Sequence, residues 1–183
     1  AISRTCFIAG LALVILLVWA KYAEKFFNFI LIRIGAFVGV GALWAIIFTV
    51  RADVENVWEW QVIDWKLFTG RIKQAQYYYQ TFGLSKFGAN IPDQLENGYI
   101  LDMGYMRMLL ENGVIIFVLM FLGTMALLIY AFIKKRNDIV VVTAAICLYG
   151  IYENLATAQV PANLMVYYFA NILYNKEKTE RIE

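Results

Sequence analysis

Histidine is absent from this chain of 183 residues, and its absence removes two classes of site at once. Neither a Ser-His triad nor a His-ligated zinc centre can be built without imidazole. Cysteine is scarce: Cys6 and Cys147 are the two, and both fall inside apolar stretches. They are expected to pack as small hydrophobes with free thiols, not to form a disulfide. Proline occurs twice, at Pro92 and Pro161. Charge is sparse and balanced, with 16 basic against 14 acidic residues. The net charge of +2 is too small to suggest a nucleic-acid partner.

Apolar residues fill the space that charge leaves. They make up 62% of the chain, against about 45–50% in soluble domains, and mean hydropathy is +0.62. The excess comes in blocks, which separates a bilayer protein from a large soluble core. Residues 5–20, 34–50 and 114–133 carry no charge. About 20 apolar residues cross the hydrocarbon of a bilayer as a helix. Two further apolar segments follow, interrupted by Glu153, Asn154, Gln159, Pro161 and Asn163. Proline suits a first helical turn and breaks a helix interior, so helices are placed at 139–158 and 161–175. The expected fold is all-α: a polytopic membrane protein of about five transmembrane helices with one long extracytoplasmic loop. It divides into two spans in 1–50, the loop 51–112, three spans in 113–175 and a tail at 176–183. The first residue is not methionine, no signal-peptide pattern precedes the first block, and the chain opens almost inside a span. It therefore reads as the C-terminal portion of a longer membrane protein.

Basic residues orient the spans. Lys21, Lys25 and Arg33 lie between the first two; Lys134, Lys135 and Arg136 between the third and fourth; Lys176, Lys178 and Arg181 after the last. Alternating spans put all three groups on one side, which the positive-inside rule makes cytoplasmic. The loop and the 153–160 connection then lie outside. Gly35 and Gly39, with Gly41 nearby, form a GxxxG pair that suits close helix packing.

The loop holds 14 of the 30 charged residues, together with Trp58, Trp60, Trp65 and the run Tyr77, Tyr78 and Tyr79. Such aromatics suit a membrane interface, and they also stack on sugar rings or cover a lipid chain. Trp65, Phe68, Ile72, Ala75, Tyr79 and Phe82 step by three and four, one face of an amphipathic helix lying at the interface. Gly83 is its stop, and Gly88 to Pro92 reads as a turn-rich link. Asp102 reads as the N-cap of a helix over 103–112 that runs on into the third span.

Thr69-Gly70-Arg71, the aromatic helix, Phe87-Gly88, Leu101-Asp102-Met103-Gly104-Tyr105 and Leu109-Leu110-Glu111-Asn112-Gly113-Val114-Ile115 follow in that order. Together they resemble the large extracytoplasmic loop of bacterial O-antigen and capsular (Wzy-type) polysaccharide polymerases, relatives of the O-antigen ligases. Many members, the ligases especially, have His where this chain has Asp102. The resemblance implies a glycosyltransferase in the bacterial inner membrane that joins glycan repeat units carried on polyprenyl pyrophosphate. Its implied surroundings are membrane lipids, a chain-length regulator and a flippase, with no metal or other cofactor and a cytoplasmic C-terminus. The ligase reaction, a polysaccharide or lipid transporter and a non-catalytic membrane subunit are the competing readings.

For such a transfer, the leaving diphosphate needs fixed cations, and a guanidinium offers a planar fork of donors that stays charged. Arg71 and Arg107 are the candidates. Each also has a plain reading: Arg71 as a solvated or lipid-facing charge, Arg107 as a surface ion pair with Asp102, Asp64 or Glu111. Asp102 and Glu153 are candidate carboxylates to accept or orient the acceptor's proton. Glu153 lies near the outer end of the fourth span, where an ionised group costs about 2–3 kcal/mol or more without a polar partner. Tyr105 and Asn154 complete the candidate substrate contacts. Asn154, Gln159 and Asn163 alternatively satisfy one another and the backbone broken near Pro161.

Overall fold

The structure is a computed structural model that describes residues 14–152, apart from positions 16, 20, 23, 28, 52 and 53. The described residues are mostly helical and contain no strand; one isolated antiparallel bridge pairs Gln94 with Ile100. In order come α1 (Glu24–Phe27), α2 (Ile30–Trp44) with its tighter continuation Ala45–Arg51, and α3 (Trp58–Ile63) with a wider turn Asp64–Phe68. They are followed by α4 (Arg71–Phe82), α5 (Gly104–Ile133) and α6 (Asn137–Tyr152).

Two helices are long and apolar enough to cross a membrane, Ile30–Thr49 and Gly104–Ile133; Asn137–Gly150 is apolar but shorter. The first two contain nearly all of the second and third blocks of the sequence. Large apolar side chains stand outward along both: Leu31, Ile34 and Val38 on α2, Val118, Leu119 and Leu122 on α5. A continuous apolar wall of this kind suits hydrocarbon better than water. Within the first block only part of 14–22 is described, and it is helical. The helix expected over 139–158 begins at Asn137 and is described as far as Tyr152. The expected helix over 161–175, the tail and Cys6 lie outside the described residues, while Cys147 is buried with a free thiol.

Contacts at both ends set α2 antiparallel to α5. Near the start of α2, Arg33 donates from Nη1 to the Phe132 carbonyl at 3.0 Å. That carbonyl is one of the last in α5, where a helix lacks internal donors and favours a cation. At the other end, Trp44 packs on Tyr105, Phe117 and Phe121 with ring centroids 4.9, 5.1 and 5.7 Å apart. The turn Lys134 to Arg136 then folds α6 back on α5, and Arg136 grips Asp138 with two hydrogen bonds of 2.9 and 2.7 Å. Arg33 and the basic turn thus share one end of the bundle, and the charged loop occupies the other. The GxxxG face has no partner among the described residues: a Cβ built on Gly35 or Gly39 meets nothing within 4 Å.

The rod of α5 is interrupted once. Gly113 has φ 82° and ψ 171°, so the helix stops and restarts there. A break leaves carbonyls behind it and N–H groups ahead of it without helical partners. The segment 85–89 supplies them. Val114 and Ile115 donate to the carbonyls of Ser85 and Lys86 at 3.0 and 3.3 Å, and Ala89 donates to the Leu110 carbonyl at 2.8 Å. The crossing is tight enough that Gly88 and Gly113 lie backbone to backbone. The expected continuation of 103–112 into the apolar block 114–133 is therefore present, through a braced kink.

Candidate functional site

The loop end is built around α4. Its entry differs from the continuous helix expected from Trp65 to Phe82. Thr69 and Gly70 both adopt left-handed backbone, φ 52° and 82°, and α4 starts only at Arg71. Asp64 makes this entry possible. Its buried carboxylate accepts from the N–H of Ile72 at 2.8 Å and of Lys73 at 3.1 Å, capping α4 from outside it. The Gly70 N–H also donates to the Asp64 carbonyl at 3.1 Å. Negative charge at a helix start is favourable on dipole grounds as well. Replacing Asp64 by Ala strands two N–H groups in a buried place. It should cost about 2 kcal/mol, read as a lower melting temperature of the detergent-purified protein.

The inner face of α4 is Ile72, Ala75 and Tyr78, all fully buried. Ile72 and Ala75 are as expected, whereas Tyr78 is buried in place of Tyr79, and Trp65 stands outside the face, 76% exposed. Gly83 does stop the helix, with φ 65° and its N–H on the Tyr79 carbonyl. The Tyr78 hydroxyl donates to the Tyr99 carbonyl at 3.0 Å, with the Pro92 and Asp93 carbonyls at 3.3 and 3.4 Å. It thereby ties the 92–99 loop down onto α4. Burial lifts the phenol above its usual range; the Arg107 cation opposes this, while the Asp93 and Asp102 carboxylates add to it. A tyrosine whose folded value is raised supports the fold below its unfolded value of about 10 and loses that support as pH rises above it. Tyr78→Phe should cost about 1 kcal/mol near neutral pH and should flatten the alkaline loss of stability, both visible in pH-dependent thermal melts.

Two arginines border this cluster. Arg71, at the start of α4, lies 3.9 Å from the Asp102 carboxylate, joining residues far apart in sequence. Asp102 is consequently not the N-cap expected of it. Met103 occupies that position without a side-chain cap bond, and α5 begins at Gly104. On the first turn of α5, Arg107 donates from Nε to Glu111 at 2.7 Å and from Nη2 to the Asp93 carboxylate. Of the partners expected for Arg107, Glu111 is engaged, Asp102 pairs with Arg71 and Asp64 caps α4. Arg71 and Arg107 are both mostly buried, with side chains 23% and 15% exposed, and Asp93 is 88% exposed. Among the described residues no acidic or thiol cluster could hold a metal ion.

Tyr105 is placed differently from its expected role as a substrate contact. It is 1% exposed and its hydroxyl donates to the Cys147 carbonyl at 2.6 Å, which fixes α6 against α5. It belongs to the core beneath the cluster. Glu153 and Asn154 lie outside the described residues. Sequence reasoning also missed a hollow of about 410 Å³ beside the start of α4, lined in part by Trp65, Lys73, Gln74 and Tyr99. Neither Arg71 nor Arg107 is among its lining residues. Comparison with family models, curated proteins and solved structures finds no match, so a functional reading rests on these residues and their geometry.

Proposed function

We propose that this chain is part of a membrane glycosyltransferase of the polysaccharide polymerase type, with Arg71, Asp102 and Arg107 as its working residues. In the reaction an acceptor sugar hydroxyl attacks the anomeric carbon of a glycan carried on polyprenyl diphosphate. The new C–O bond forms as the bond from that carbon to the diphosphate oxygen breaks, and its electron pair leaves on the diphosphate. The hydroxyl proton passes to a carboxylate, for which Asp102 is the candidate. The observation that carries this reading is the meeting of Arg71 with Asp102 on a platform beyond the spans. A cation for the leaving group and an acceptor for the proton then stand side by side.

Arg107 complements the pair. Glu111 on the same helix holds its guanidinium in orientation, while the exposed Asp93 occupies its outer edge. In this reading Asp93 stands where a phosphate oxygen would bind, and an arriving diphosphate displaces it. Kept half-dry among protein groups, a guanidinium acts on phosphate more strongly than it would in open water. In the full proposal about five spans cross the bacterial inner membrane, the loop faces outward, and a polyprenyl-linked glycan is the donor.

The described spans carry no ionisable side chain near their middle, which favours chemistry at one membrane face over the transporter reading, where such residues mark an ion or substrate path. The test is Arg71→Ala and Arg107→Ala in the full-length protein, with polymer length as readout. Lipid-linked single repeat units should accumulate while their export continues. Unchanged polymer length in both variants rejects the assignment. Unchanged length with failed transfer of finished glycan to a lipid core selects the ligase reaction.

A further inference from the structure

We infer that the hollow beside the start of α4 is a binding subsite for an uncharged stretch of glycan, separate from Arg71 and Arg107, neither of which lines it. The inference rests on the polymerase reading for where the glycan comes from; the chemistry of the pocket argues its ligand class independently. Its volume of about 410 Å³ falls within the roughly 300–1,000 Å³ of small-molecule sites. Two aromatic residues border it, Trp65 and Tyr99. The Trp65 indole is 76% exposed, so it offers a flat apolar face in a wet setting. Such a face suits the C–H side of a pyranose ring, whose hydroxyls still reach water or protein amides. Two carboxamides, Gln61 and Gln74, also line the hollow and supply both donors and acceptors.

Charge decides against a phosphate or other anion there. The start of α4 opens toward the hollow, and a free helix N-terminus would attract an anion. Here the buried Asp64 carboxylate already accepts from the Ile72 and Lys73 amides. The remaining charges on the wall are Lys73 and Glu55, an exposed pair of opposite sign 3.3 Å apart. What faces a ligand is therefore aromatic and hydrogen-bonding surface with no excess of positive charge, since Lys73 stands against Glu55 and Asp64, a mixture that suits a polyol better than an anion. Gly70 and Lys73, which line the hollow, flank Arg71 in sequence. A glycan seated in it would lie next to the element that carries the proposed diphosphate cation.

The test uses the full-length protein in nanodiscs of phosphatidylethanolamine and phosphatidylglycerol. The probe is a set of end-labelled oligosaccharides, two to four repeat units long, cut from the surface polysaccharide of the strain that carries this chain. The protein should bind the probe, and Trp65→Ala should weaken binding by about tenfold. Gln74→Ala should weaken it severalfold, and inorganic pyrophosphate should not compete. In cells, Trp65→Ala should shorten the polymer while first joinings continue, whereas Arg71→Ala stops growth at single units yet leaves probe binding intact. Unchanged binding in both Trp65→Ala and Gln74→Ala overturns the subsite, as does displacement by pyrophosphate. So does quenching of Trp65 by lipids brominated on their acyl chains, which would show the indole buried in the membrane. Loss of growth in Arg71→Ala beside any of these results leaves the polymerase reading standing. Normal growth in Arg71→Ala, with probe binding still lost in Trp65→Ala, leaves the subsite standing alone.

Discussion

Gly113→Ala and Gly88→Ala are each expected to collapse the loop end of this protein, with a loss of about 5 kcal/mol or more. A Cβ on Gly88 would sit 1.9 Å from the Glu111 carbonyl oxygen and 2.4 Å from its carbon. One on Gly113 would sit 2.4 Å from both the Gly88 nitrogen and the Lys86 oxygen. Every one of these neighbours is backbone, so no rotamer change relieves the contact. Both residues also have positive φ, 86° and 82°, which disfavours any side chain by about 1–2 kcal/mol before contacts are considered. To admit the methyl group, segment 85–89 must leave the kink. The Val114 and Ile115 N–H groups and the Leu110 carbonyl then lose their partners, each loss costing about 1–3 kcal/mol where water is scarce. Thermal unfolding of the purified full-length protein is the measurement, with Gly35→Ala and Gly39→Ala as controls. Those two lie in the helix interior with nothing within 4 Å of an added Cβ among the described residues, so alanine there should stabilise slightly, by up to about 1 kcal/mol. A melting temperature within about 2 °C of the parent for Gly113→Ala would show that the crossing is not as tight as described.

That brace was not legible in the sequence, for a physical reason that recurs at the site. Local rules see neighbours three or four residues apart. They point to the two long apolar helices, since a run without charge is a local property, and to the end of α4, since Gly83 supplies a conformation other residues avoid. Gly88 and Gly113 each look like an ordinary turn or helix breaker; their meaning lies in each other. The same holds for Asp102. Its position before a helix fits an N-cap, and Arg71 competes for it from a distant part of the chain. The start of α4 was misplaced because apolar spacing runs unbroken through Thr69 and Gly70. A left-handed threonine leaves no trace in periodicity, and the compensating Asp64 lies eight residues upstream of the amide it caps. The arginines themselves stand out by residue type; the fold sets Arg107 near the Tyr78 phenol and Arg71 on Asp102. The hollow beside the start of α4 depends on side chains from separate segments, and no single stretch of sequence announces it.

The second large effect expected is on activity. Arg71→Ala should lower polymer formation by about 10²–10³-fold, the scale seen when one fixed donor to a developing negative charge is removed. Loss of the ion pair itself should move stability little, because a partly exposed pair at 3.9 Å contributes less than about 1 kcal/mol. Loss of activity with an unchanged melting temperature therefore separates a working residue from a structural one. Arg71→Lys sharpens the point. Lysine keeps the charge but presents it as a single point and cannot span two phosphate oxygens, so most of the activity should still be missing. Asp102→Asn tests the other half of the pair. It keeps the shape while removing the proton acceptor, and a loss of about 10²-fold or more is expected if Asp102 accepts the proton. The combination Arg71→Ala with Asp102→Asn should be little worse than Arg71→Ala alone, because residues acting as one unit in a transition state do not lose activity additively. Losses that simply multiply would mean the two groups act independently. The ion pair between them would then be incidental to the transfer.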